Sequence, residues 1–386
     1  MKLVFVHDGP IYHDKQGNYY EYSYHGLYER YRYLADEITF IMRVYPVNGK
    51  TYNTILPKEV NVVRVPDFKS PKRYFKNKPV AEKILEQQIK MADCAILRVS
   101  SCAHIALKYC RKYQIPYIYE CVGCTRDALW NHSFLGKIMA VPAFLREKAI
   151  IYHAPYVYYV TNKFLQHRYP TQGKYIGCSD VTIKEADKSV IEARLCKLEH
   201  LREKKKIIIG TAAALDVLYK GQQYVIEAIG ILTKMGYDIE YHLAGSNSKK
   251  SNYLNQVALK NGVQDRVLFC GSLNASEMIE YYDSLDIYIQ PSKLEGLSRA
   301  IIEAMSRGCP VLAAKVGGNM ELLQDCCLFK KGSVKAIVEI VSKVFDLDMK
   351  KIAIRNFNKS KEFNETYLEN KRKDFYDQFH TEYKRI

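Results

Sequence analysis

Nowhere in the 386 residues does an apolar run approach the roughly 18 residues that a bilayer-spanning helix requires. The opening Met1-Lys-Leu-Val-Phe-Val-His7 turns polar too soon for a secretory leader. Both absences lead to the expectation of a cytoplasmic protein, with any membrane contact peripheral and on the inner face. Acidic residues are in short supply. The 42 Asp and Glu against 58 Lys and Arg leave a formal charge of +16, which calls for a polyanionic partner: nucleic acid, anionic lipid or a phosphorylated substrate. The 11 cysteines are scattered and build no disulfide framework, as suits reduced thiols. Cys121-Val-Gly-Cys124 lacks a second close pair or a His at finger spacing, so no metal site is assigned. Tryptophan occurs once, at Trp130; the 32 tyrosines are read mostly as packed, half-exposed side chains.

What is present is an α/β rhythm in a chain long enough for two domains. Lys2–Asp8 reads as a first strand closed by Gly9-Pro10, then a polar, tyrosine-rich loop through Gly17-Asn18 to about Tyr24. In a doubly wound sheet that loop faces the ligand crevice, which makes His7, Asp8 and His13 candidates for substrate contact. Lys69–Lys78 interleaves five basic residues with Tyr74 and Phe75 ahead of a helix over Val80–Met91. That composition suits either an anionic membrane surface or a solvated loop. Cys94–Val99 and Pro116–Glu120 read as buried strands, and the loop Cys121–His132 after the second offers Asp127, Trp130 and His132 to an acceptor. From Pro170 to Lys206 the alternation lapses, ending in Lys204-Lys-Lys206, and at Ile207 it restarts.

The second half is organised around Pro291–Pro310. A strand, Asp286–Gln290, runs into Pro291; Ser292–Ser298 turns; Ile301, Ile302 and Met305 recur at helical spacing; Gly308 and Pro310 stop the helix. Such a unit aims a helix N-terminus, with its free N–H groups, at the carboxyl edge of a parallel sheet, where a phosphate is well placed. Glu295 lies in the turn and Glu303 in the helix, and the core needs neither. Val316–Leu323 repeats strand, glycine turn and helix start.

The ordered set Lys220-Gly221, Gly271, Pro291-Ser292, Glu295-Gly296, Glu303-Ala304, Gly308-Cys-Pro310 and Gly317-Gly318 resembles the donor half of glycosyltransferase family 4, the retaining GT-B transferases. Gly123 with Asp127–Asn131, and Tyr159–Pro170, are similar to bacterial members that build surface polysaccharides. The resemblance implies two Rossmann-like, doubly wound α/β domains facing a central crevice, divided as 1–203 (with a linker at 171–203), 204–365, and a helix at 366–386 crossing back to the first domain. It implies that Glu303 holds the ribose hydroxyls, Glu295 the donor sugar, Gly271 and Ser292 part of the donor site, and the N–H groups of Gly296, Leu297 and Ser298 the diphosphate. Lys220 would neutralise the leaving diphosphate, with no metal and no cofactor beyond the nucleoside diphosphate sugar. The acceptor expected is lipid-linked or polysaccharide. Where relatives often carry an Arg before the Lys, this chain has Ala214. No His matches the one many relatives place near the reacting carbon, leaving Asp127 and His132 as the nearest polar candidates. Asp346-Leu-Asp348 is read as surface rather than as a metal triplet.

Two other functions fit part of the pattern. A sugar-nucleotide epimerase of the same fold would bind a similar donor, and the acceptor-side loop weighs against it. A nucleic-acid-binding protein would explain the charge and the tyrosines but not Glu295 and Glu303, and no finger or RNP-type motif occurs, so nucleic acid is not expected as a partner.

Overall fold

The computed structural model describes residues 1–21, 26–47, 54–201, 203–204, 206–246 and 252–383. The end of the tyrosine-rich loop at Tyr24, and Lys205, lie outside them. The first sheet contains β1 (Lys2–His13), β2 (Tyr19–Glu21), β3 (Glu37–Pro46), β4 (Thr54–Ile55), β5 (Asn61–Arg64), β6 (Cys94–Arg98), β7 (Tyr117–Cys121), β8 (Tyr156–Tyr159) and β9 (Lys174–Gly177). Its parallel strands run in the order β5-β3-β1-β6-β7-β8-β9, and β2 and β4 form an antiparallel ribbon on the end of β1. The second sheet contains β10 (Ile207–Ala212), β11 (Ile239–Ala244), β12 (Val267–Gly271), β13 (Ile287–Gln290), β14 (Val311–Ala314) and β15 (Leu328–Phe329), all parallel in the order β12-β11-β10-β13-β14-β15. In each sheet the chain runs outward from its first strand on one side and then crosses back to that strand's other side, as in doubly wound sheets that place ligands at this switch point. These are the two Rossmann-like halves of a GT-B fold.

The central strands are buried on both faces, which explains runs such as Cys94–Arg98 and Ile287–Gln290 with no polar alternation. Arg98 and Glu120 are buried together at 2.7 Å, and Tyr31 donates to the same carboxylate at 2.9 Å. Asp180 joins the cluster through Arg30 and Arg98; burial opposes its charge, but the two guanidiniums outweigh it and hold the carboxyl at about 2. The last helix, Glu365–Tyr383, crosses back to the first sheet. Its Arg372 donates to Tyr158 Oη (3.0 Å) and to the Ser179 carbonyl, and Phe375 and Phe379 pack on Tyr156.

The structure departs from the sequence reading in four places. Gly9-Pro10 does not close β1; a register shift between Val6 and Pro10 absorbs the proline, and the strand runs on to His13. Lys69–Lys78 is not a loop, because helix Pro71–Lys90 takes in most of it, held by Ala81, Leu85 and Ile89 on its buried side. The loop after β7 ends at Cys124, and a pair of helices, Thr125–His132 and Phe134–Tyr152, follows. The stretch 171–203 holds β9 and helix Lys188–Glu199. Arg194 of that helix donates to the carbonyls of Tyr282, Leu285 and Arg307, tying it to the second half of the chain. No described helix is long and apolar enough to cross a membrane.

Candidate active site

Three loops at the carboxyl edge of the second sheet meet at the turn after β13. The first leaves β10 and makes one tight turn, Leu218–Lys220, before helix Gln222–Lys234. Gly221 between them has φ +81°, and a Cβ there would stand 2.3 Å from the Pro291 carbonyl oxygen, so only glycine lets the two loops touch. Lys293 N–H donates to the Tyr219 carbonyl at 2.7 Å across the same seam. The third loop, after β14, closes on the other side. Gly318 N–H donates to the Gly296 carbonyl at 2.7 Å, and Gly317, at φ +51°, would bring a Cβ within 1.9 Å of the Glu295 carbonyl oxygen.

This packing fixes the side chains. Lys220 Nζ lies 2.8 Å from Glu295 Oε1, and both groups are largely shielded from solvent. The same carboxylate oxygen accepts from Gln290 Nε2 at 3.0 Å, which also donates to Ser292 Oγ at 2.8 Å. Tyr288 donates in turn to Gln290 Oε1. Ser298 caps helix Arg299–Ser306, whose apolar face Ile301, Ile302 and Met305 is buried as the periodicity predicts. The N–H groups of Gly296, Leu297 and Ser298 donate to no backbone acceptor among the described residues. Behind them Glu303 accepts from Tyr282 Oη at 2.9 Å; burial pushes its carboxyl above the usual range, against the opposing effects of Tyr282 and Arg299.

Of the expected donor residues, Lys220, Ser292 and Glu295 are thus joined by hydrogen bonds within one network. Gly296 faces the first domain: a Cβ there would lie 2.8 Å from the carbonyl oxygen of Val122, in the loop after β7. Gly271 ends β12, two strands from β10, and accepts from Gly245 N–H at 2.8 Å. Ala214 is exposed, and its carbonyl accepts from Gln222. Lys293 does not take the place of the missing Arg, because its ammonium lies over the Tyr224 ring, 4.7 Å from the centroid.

The acceptor-side candidates are more dispersed. Asp127 is held by Arg168 at 3.1 Å, in the first turn of helix Thr125–His132. Trp130 and His132 are exposed on that helix, which buries no side chain. His13 sits in the ribbon beyond the sheet edge, its Nδ1 3.2 Å from the Asp14 carbonyl. His7 is half-buried, and loss of solvation together with Arg98 lowers its pKa to about 3; its Nδ1 accepts from Gly9 N–H. Asp8 accepts from the N–H groups of Ser101 and Cys102 at the start of the next helix. Asp346 is exposed, and Asp348 caps helix Met349–Ser360.

Sequence reasoning missed Gln290 and Glu321. The first was absorbed into a strand, although a buried amide two residues before Ser292 was a signal. Glu321 accepts from the N–H groups of Asn162, Lys163 and Phe164, so a carboxylate of the second domain caps a helix of the first. Beside it a cavity of about 580 Å³ opens between the domains, lined by Phe164, Arg168, Leu297 and Met320. Glu295 and Lys220 lie outside its lining, so the cavity flanks the turn after β13 instead of containing it.

The family model for glycosyl transferases group 1 matches residues 197–361. Protein CapJ of Staphylococcus aureus is 34% identical over 350 residues, 89% of this chain and 86% of that one. An O-antigen biosynthesis glycosyltransferase, WclY of Escherichia coli, is 29% identical over 137 residues, 35% of this chain and 36% of that one. Among solved structures, Anabaena Alr3699/HepE in complex with UDP-glucose superposes with a TM-score of 0.63 over 100% of both chains at 16% identity, a likeness of fold.

Proposed function

Because this chain belongs to the group 1 glycosyl transferases, we propose that it moves a sugar from a nucleoside diphosphate donor to a lipid-linked or polysaccharide acceptor in cell-surface glycan synthesis, with retention of configuration. The observation that carries the reading is the Lys220–Glu295 pair beside the uncommitted N–H groups of Gly296, Leu297 and Ser298. Departing diphosphate charge is best stabilised by a fixed cation and preorganised donors, and these residues supply both. Lys220 faces the diphosphate and Glu295 the sugar hydroxyls, so a donor would replace their mutual ion pair with one partner for each. Glu303 addresses the ribose diol. With the leaving group neutralised in this way, the reaction as proposed needs no metal.

The glycan acceptor is supported by the similarity to an O-antigen transferase, and UDP-glucose as a first donor to try by the HepE complex. The protein works at the inner face of the membrane, where a lipid-linked acceptor is presented. The test is incubation with a panel of nucleoside diphosphate sugars and lipid-linked acceptors in the presence of a chelator, with the product's anomeric configuration read by NMR. The expected product keeps the donor's configuration. An inverted product, or dependence on added divalent cation, would refute the corresponding part of the proposal.

A further inference from the structure

Helices Thr125–His132 and Phe134–Tyr152 form a tight hairpin: a Cβ on Gly136 would meet the Leu129 carbonyl oxygen at 2.3 Å. The longer helix buries only Gly136, Ala140, Glu147 and Ile151. Phe134, Leu135, Ile138, Met139, Val141 and Leu145 are all exposed, Phe134 to 80% and Leu135 to 65%. A ridge this apolar on a protein surface marks a contact.

The charge around the ridge identifies the partner. Arg126, Lys137, Arg146 and Lys148 are exposed on the hairpin, and it offers no free acid: Glu147 is buried against His104, and Asp127 is paired with Arg168. Next to it, helix Ser101–Lys112 joins the hairpin through His104 and joins helix Pro71–Lys90 through Lys108–Glu82 and Lys112–Glu86. The first turns of helix Pro71–Lys90 expose Lys72, Arg73 and Lys76 together with Phe75, 85% exposed, and carry no acid. That helix starts after the carboxyl end of β5, and Phe134 lies in the crossover that leaves the carboxyl end of β7. The strands are parallel, so the cationic helix start and the Phe134 end of the ridge both lie toward the crevice edge of the first domain. A second copy of the chain would set these cations against their own equivalents across a two-fold interface. An anionic bilayer instead takes the apolar ridge into its interfacial layer and the cations among its headgroups.

We propose that the Phe134–Leu145 ridge, flanked by the cationic start of helix Pro71–Lys90, is the surface by which this protein docks on an anionic membrane with its crevice edge toward the lipid. This deepens the membrane reading given above by naming the surface responsible. The assay contains neither donor nor acceptor, so its failure and the failure of the transferase reading are separable. Trp130, the single tryptophan and 48% exposed on the hairpin, is the reporter. The protein is mixed with vesicles of phosphatidylcholine alone, or of phosphatidylcholine with an equal amount of phosphatidylglycerol.

The expected result is sedimentation with the anionic vesicles only, with Trp130 emission moving to shorter wavelength. The double variant L135S/I138S should lose the emission shift and bind roughly tenfold less while melting at the wild-type temperature, since both side chains face solvent. The proposal is overturned if the wild type stays in the supernatant with anionic vesicles, or if the double variant binds as the wild type does. It is also overturned if the protein alone forms a dimer that the double variant splits, which would give the ridge to a second copy.

Discussion

Lys220 Nζ and Glu295 Oε1 stand 2.8 Å apart although 75 residues separate them, because Gly221 lets the first loop lie against Pro291. The two groups on which the proposed transfer relies are therefore held in place by the fold itself. Preorganisation of this kind is the main source of electrostatic catalysis, and removing one such donor typically costs about 100- to 1,000-fold in rate. Lys220→Ala and Glu295→Gln should each lower kcat by about that much, as measured by transfer of labelled sugar. Their stability cost should be about 1–3 kcal/mol, as for a largely shielded group left without its hydrogen-bond partner. Near wild-type turnover in both would remove these residues from the mechanism.

Gln290 positions Glu295 without facing the substrate. Its amide donates to Ser292 and Glu295 and accepts from Tyr288; Gln290, Ser292 and Tyr288 are buried and Glu295 partly so. Gln290→Leu should leave those partners unsatisfied, at a cost of about 1–3 kcal/mol in denaturant unfolding. Gln290→Glu sets a second carboxylate beside Glu295, and like charges resist joint ionisation. The acid limb of its kcat profile should move to higher pH than in the wild type, a change that a purely structural role would not produce.

Gly296 tests how closely the domains approach during turnover. A methyl group at this position would press on the Val122 carbonyl at 2.8 Å, across the crevice. Gly296→Ala should raise the donor KM with little change in melting temperature, whereas Gly317→Ala, strained at φ +51° against the Glu295 carbonyl, should lower the melting temperature by several degrees. Steady-state kinetics beside a thermal scan separates the two effects.

Glu303 gives the chain a pH signature. Burial raises its folded-state pKa, so between the ordinary Glu value and the raised one the folded protein binds more protons than the unfolded chain. Stability from this group is then complete at acid pH and falls as pH rises through that window. Glu303→Gln, which keeps an acceptor for Tyr282, should be more stable than wild type at neutral pH, and the gap should close towards acid pH. The variant should also bind nucleoside diphosphate more weakly. Urea unfolding at a series of pH values reads the first effect and calorimetry the second.

The donor half was legible because its signals are local. Ile301, Ile302 and Met305 marked the helix, the glycines marked the contacts between loops, and Glu295 and Glu303 stood out as carboxylates the core did not require. The acceptor half was less legible. Its edge toward the second half is built by tertiary contacts such as Glu321 capping a helix 157–159 positions away, which no spacing rule exposes. Helix Phe134–Tyr152 turns apolar side chains such as Phe134, Leu135 and Ile138 to solvent, so it lacks the polar outer face by which surface helices are found. Pro79 and the dense charge of Lys69–Lys78 hid the start of helix Pro71–Lys90 in the same way.

The most direct test of the central claim is calorimetric binding of UDP and of UDP-glucose to the wild type, Lys220→Ala and Glu295→Gln. The account predicts that Lys220→Ala weakens both ligands by about tenfold or more, while Glu295→Gln leaves UDP unchanged and loses only the extra affinity contributed by the sugar. If no nucleoside diphosphate or its sugar conjugate binds the wild type, or if both variants bind both ligands as the wild type does, the turn after β13 is not a donor clamp.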